Sequence, residues 1–123
     1  MCDRYSITAS ASQLSERYEV EVSKRYKPRY NAGPSQLLPI ITAGSRGLSF
    51  FYWGTMPEWA KNKTISEKII NVRAEQIGEK PMFRKKLAKF RCLIPCDGFY
   101  LWKRVGKKSN IPYRFFEKQK GIF

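Results

Sequence analysis

The apolar residues of this chain come in short runs, and that limits the fold more than any other feature. Residues 36–42 (QLLPIIT), 47–53 (GLSFFYW), 92–95 (CLIP), 99–104 (FYLWKR) and 111–116 (IPYRFF) are each of strand length. Turn-formers part them: AGSRG at 43–47 and the basic VGKKSN at 105–110. Only two segments carry a helical period. Residues 10–21, with Ser10 as N-cap and Leu14 and Tyr18 on one side, predict a short amphipathic helix. Residues 81–90 predict another, opening on Pro81, with Phe83, Leu87 and Phe90 on one side. Residues 24–35, with two prolines and a glycine, read as a turn-rich connection, and 53–64 as a Trp-containing loop. The closing KQKGIF reads as a turn followed by the first residues of another strand, either an edge left hanging or the cut end of something longer. No repeat or linker divides the 123 residues, so one domain is expected.

The charge is lopsided. The formal net charge is +14, and 17 of the 24 Lys and Arg fall after residue 60. A basic surface interleaved with 8 Phe, 7 Tyr and 3 Trp suits a polyanion whose bases can stack, so nucleic acid is the favoured partner. A membrane is not, since no apolar run approaches a span. There is no His, which excludes a Ser-His-Asp triad, a Cys-His pair and any zinc site needing imidazole from this chain. The three cysteines, Cys2, Cys92 and Cys96, are odd in number and follow no secretory signal, so free thiols in a reducing compartment are expected. Cys92 and Cys96 lie in the apolar RCLIPCDG and read as buried.

Five segments, in order, carry a family resemblance. They are Met1-Cys2-x-Arg4-Tyr5; Arg29-Tyr30-Asn31-Ala32-x-Pro34; Trp53-Gly54-x-x-Pro57-x-Trp59; Ile70-Asn71-Val72-Arg73-Ala74-Glu75; and Arg91-Cys92-Leu93-Ile94-Pro95-Cys96-Asp97-Gly98-Phe99-Tyr100-x-Trp102-Lys103. Together they resemble the SRAP (SOS-response-associated peptidase) family, the abasic-site shields of single-stranded DNA. The resemblance covers this chain and about the first half of a typical member. It implies an α+β fold with a bent, barrel-like, mostly antiparallel sheet and a few short helices, here lacking the C-terminal half. An unpaired edge strand would then invite self-association. The resemblance implies no cofactor and no metal. It implies a cytoplasmic protein, associated with the nucleoid if bacterial.

The resemblance also assigns roles. Cys2 and Asn71 would be catalytic. Arg4, Asn31, Pro34, Trp59 and Arg73 would bind DNA, with Asn71 orienting the reacting sugar and Arg73 contacting phosphate. Trp59, between polar neighbours, is expected to be exposed, and Trp53, closing an apolar run, to be core. The chemistry of Cys2 is consistent with its assigned role. Once Met1 is removed, Cys2 carries an α-amine with a pKa of about 7.7–8.0, far more of it neutral at pH 7 than a lysine amine. A neutral amine adds to an aldehyde to give a Schiff base, and the adjacent thiol can close the ring to a thiazolidine.

Three positions depart from the family pattern. Leu101 stands where a Glu is expected to move protons, Asp3 where Gly is usual, and the His of the C-terminal half is absent. Leucine cannot transfer a proton, so crosslinking should be slower. A carboxylate at position 3 would raise the amine pKa. The competing reading is a non-catalytic basic module that binds single-stranded nucleic acid. General proteolysis is disfavoured without a His base.

Overall fold

The computed structural model describes residues 2–54, 70–79, 81–119 and 121–123. Strands β1 (Arg4–Ile7), β2 (Arg29–Ala32), β3 (Leu37–Thr42), β4 (Ser49–Tyr52), β5 (Cys92–Leu93), β6 (Gly98–Val105) and β7 (Ser109–Phe115) alternate with helices α1 (Ala11–Tyr18), α2 (Ala74–Ile77) and α3 (Pro81–Lys89). The strands form two open sheets, ordered β2-β1-β6-β7 and β4-β3-β5, with every neighbouring pair antiparallel. The α+β class holds. The barrel does not close: among the described residues β7 and β4 each have one strand neighbour.

Strand β1 is central and short. Its alternation sends Tyr5 and Ile7 into the core and Ser6 to the other face, where Asp97 and Arg114 cover it, so three consecutive residues are buried. The core gathers Tyr5, Ile7, Ala9, Leu14, Tyr26, Ala32 and Leu38, with Trp53, Phe99 and Ile122 packed around them. Tyr5 and Trp53 meet at a ring-centroid distance of 5.8 Å, which places Trp53 against the core as its sequence context predicts.

Helix α1 forms where its spacing predicts. Ser10 accepts from the Gln13 amide, and the Gln13 side chain accepts from the Ser10 amide, a reciprocal cap. Leu14 is fully buried, worth about 2–3 kcal/mol. The helix stops at Glu19, which takes a left-handed conformation with φ 53°.

Four expectations need correction. The 24–35 connection contains strand β2, whose pairing with β1 lies outside any local periodicity. Its Tyr26 hydroxyl donates to Ala9 O at 2.7 Å, and burial pushes that phenol up to about 12. Cys92 is exposed on β5, a two-residue strand with one strand neighbour among the described residues, and Cys96 is only half-buried. Burial, then the charges of Asp97 and Cys2, pushes the Cys96 thiol up to about 11, so it stays protonated and a poor nucleophile at neutral pH. The closing residues do not hang free: Phe123 and Cys96 exchange backbone hydrogen bonds of 2.9 and 3.1 Å. Finally, Phe83 on α3 is half-buried, whereas Leu87 and Phe90 are exposed, Phe90 at 78%.

Candidate functional site

The amino terminus is held at one end of the first sheet by hydrogen bonds from two directions. The Cys2 thiol, half-buried, donates to Arg4 O at 3.3 Å. From the far side of the sequence, the Asn71 amide donates to Cys2 O at 3.2 Å and to Asp3 Oδ1 at 3.3 Å. The two residues assigned to chemistry are thus adjacent, although 69 positions separate them.

Arg4 extends from the start of β1. Its Nη1 donates to Asn31 Oδ1 at 3.4 Å, which ties a third assigned residue to the group. Gly33 makes room for this: a Cβ there would lie 2.8 Å from Arg4 Nη1. Beside the terminus opens a cleft of about 680 Å³, lined by Asp3, Arg4, Pro34, Ser35, Ile70, Trp102 and Asn110. Pro34, assigned to DNA binding, is one of these residues.

Arg73 is exposed at the N-cap of α2, two residues beyond Asn71, and no described residue bonds its side chain. Glu75 is exposed in the first turn of α2 and makes no side-chain hydrogen bond among the described residues. Trp59 and Met1 lie outside the described residues. Sequence reasoning missed Trp102 and Asn110 as walls of the cleft. Trp102 lies inside one of the motifs that carry the resemblance, and Asn110 inside the basic turn at 105–110. Their signal is the strand alternation across the hairpin, where Trp102 pairs with Pro112 and Asn110 with Arg104.

A polar cluster lies on the same face of the sheet as Arg4. Asp97, 8% exposed, accepts from Ser6 Oγ at 2.6 Å, Thr8 Oγ1 at 2.7 Å, the Thr8 amide and Arg114 Nη2 at 3.1 Å. Burial alone would push its carboxyl up. The hydrogen bonds from Ser6 and Thr8 and the Arg114 charge outweigh burial and hold it below its ordinary 3.8. Gly98 permits this closeness, since a Cβ there would meet Arg114 Nε at 2.8 Å and Phe115 O at 2.9 Å. Tyr100 completes the join by donating from its hydroxyl to Tyr30 O at 2.8 Å. Leu101, in the place of the expected carboxylate, pairs with Tyr113 and lies in an apolar hollow with Lys103 and Phe115.

A cysteine at position 2, hydrogen-bonded by an Asn amide beside a cleft that Arg4 and Trp102 line on an antiparallel sheet, defines a recognisable class. The chain belongs to the SOS response associated peptidase (SRAP) family, whose model matches residues 1–123. The abasic site processing protein YoqW of Bacillus subtilis is 41% identical over 128 residues, covering 100% of this chain and 57% of its own length. The abasic site processing protein YMR114C of Saccharomyces cerevisiae is 30% identical over 78% of this chain and 26% of its own. Among solved structures, a Bacteroides thetaiotaomicron protein superposes with a TM-score of 0.78 at 30% identity, over 99% of this chain and 57% of that one. The chain thus spans a little over half the length of the bacterial relatives it matches. No helix among the described residues is long and apolar enough to cross a membrane.

Proposed function

We propose that this chain captures abasic sites in single-stranded DNA through Cys2 after removal of Met1. The observation that carries the reading is the pair of hydrogen bonds from Asn71 to Cys2 O and Asp3 Oδ1, which joins the two residues assigned to chemistry next to the cleft that Asp3 and Arg4 line. The relatives' role in abasic site processing and the +14 charge support it.

The chemistry proceeds in three steps. The neutral Cys2 α-amine adds to the aldehyde carbon of the ring-opened sugar, and the carbonyl oxygen takes up a proton. The resulting carbinolamine loses one water to form the imine. The Cys2 sulfur then adds to the imine carbon while the nitrogen takes the thiol proton, closing a five-membered thiazolidine. The overall change is aldehyde plus aminothiol giving thiazolidine plus water, with no redox step. Asn71 can donate to the sugar without changing charge, Arg4 and Arg73 supply cations for phosphate, and Trp102 offers a stacking face.

Leu101 favours a second reading, in which the chain binds single strands but crosslinks poorly, because no carboxylate stands there to move a proton. One experiment separates the two. The protein is incubated with an abasic single-stranded oligonucleotide and resolved on a denaturing gel, with an intact mass recorded in parallel. A covalent adduct from chains beginning at Cys2, absent in Cys2→Ala, is the expected result. Chains beginning at Cys2 that bind the strand yet yield no adduct would establish the second reading.

A further inference from the structure

We infer that the β6–β7 hairpin is a phosphate track, leading a single strand of nucleic acid out of the cleft along Arg104 toward Lys107 and Lys108. The inference rests on the single-strand reading above and extends it to a surface outside the Cys2 site. Alternation along β6 puts Trp102 and Arg104 on one face, and register puts Asn110 directly opposite Arg104. Trp102 and Asn110 are walls of the cleft, so Arg104 lies on the face that continues it. A two-residue step along a strand is about 6.8 Å, comparable to one nucleotide of an extended strand.

The guanidinium does not point back toward the core. Arg104 Nη2 donates to Lys107 O at 3.5 Å, which brings its charge over the turn that carries both lysines. Gly106, at φ 67°, makes that turn. Residues 98–116 contain Lys103, Arg104, Lys107, Lys108 and Arg114 and no Asp or Glu. Arg114 is matched by Asp97, the one ion pair among the described residues. The cations near the tip are therefore close to one another, exposed, and without a carboxylate on their own hairpin. Such a cluster repels itself until a polyanion neutralises it. The indole of Trp102 at the inner end makes nucleic acid a better match than a plain acidic peptide, since it offers a base a stacking surface beside the cations.

The test uses a lesion-free single-stranded oligonucleotide, with binding followed by fluorescence anisotropy over a salt series. For a single strand, each phosphate contact contributes about 0.7 to the slope of log K against log salt. The triple variant Arg104→Ala, Lys107→Ala, Lys108→Ala is expected to lose about 2 from that slope, and each single variant about 0.7. A control that removes equal charge from the α1–β2 connection, Lys24→Ala, Arg25→Ala, Lys27→Ala, should keep the wild-type slope. The single variants keep the experiment decisive if the triple variant folds poorly. An unchanged slope in the hairpin variants, an equal drop in the control, or no binding by the wild type would overturn the track. Because the oligonucleotide carries no abasic site, a failure of Cys2 to crosslink would leave this result standing, and a failed track would leave crosslinking intact.

Discussion

Strand β6 spans two environments. Its inner half, Gly98 to Tyr100, is hydrogen-bonded to β1 on one side and β7 on the other. There Asp97, Ser6, Thr8 and Arg114 are joined by bonds that leave little freedom, and Phe99 stacks on Phe115 at 5.4 Å. Its outer half, Trp102 to Val105, pairs among the described residues with β7 alone and is exposed and basic. The difference separates stability from recognition along one continuous strand. Substitutions inside should unfold the domain, and substitutions outside should leave it folded and change what it binds.

The largest effect should come from Ile7→Ala on the core side of β1, where the side chain is fully buried. A loss of about 4 kcal/mol by urea denaturation is expected. Next, Asp97→Ala should cost about 3 kcal/mol, because it strands donors on Ser6, Thr8 and Arg114. The same carboxylate sets a pH dependence. Its folded pKa lies below 3.8, so its contribution is complete above about pH 4 and is lost as pH falls through the folded value. The acid limb of a stability-against-pH profile should therefore flatten in Asp97→Asn. Smallest in stability is Trp102→Ala in the outer half, expected within 0.5 kcal/mol of wild type. Its affinity for single strands should nonetheless fall by about 1–3 kcal/mol. A large loss of stability in Trp102→Ala would erase the contrast between the halves.

Much of this was legible in the sequence, and what was missed shares one physical cause. Helix α1, helix α3 and the hairpin strands follow from local period, capping and turn residues, which a short window contains. Strand β2 and the exposure of Cys92 depend on which strand lies alongside, and pairing partners leave little trace in a window of ten residues. The grouping of Cys2 with Asn71 was expected only through the family resemblance, because nothing in a polar Asn two residues from an Arg points to a contact 69 positions away. Asp97 carries no local signal of its role, which depends on Ser6 and Arg114, 91 and 17 positions away. Trp102 and Asn110 could have been found by applying the period-two rule across the hairpin.

Ser6 and Asp97 bond across 91 positions, and that separation has a temporal side. At ribosomal rates of 5–20 residues per second, about 5–20 s pass between synthesis of the first strand and synthesis of the segment that locks it in place. Throughout that interval the leading residues have no β6 to pair with. The removal of Met1 proposed above would have that window in which to act, before β6 completes the sheet on which Cys2 sits beside Asn71.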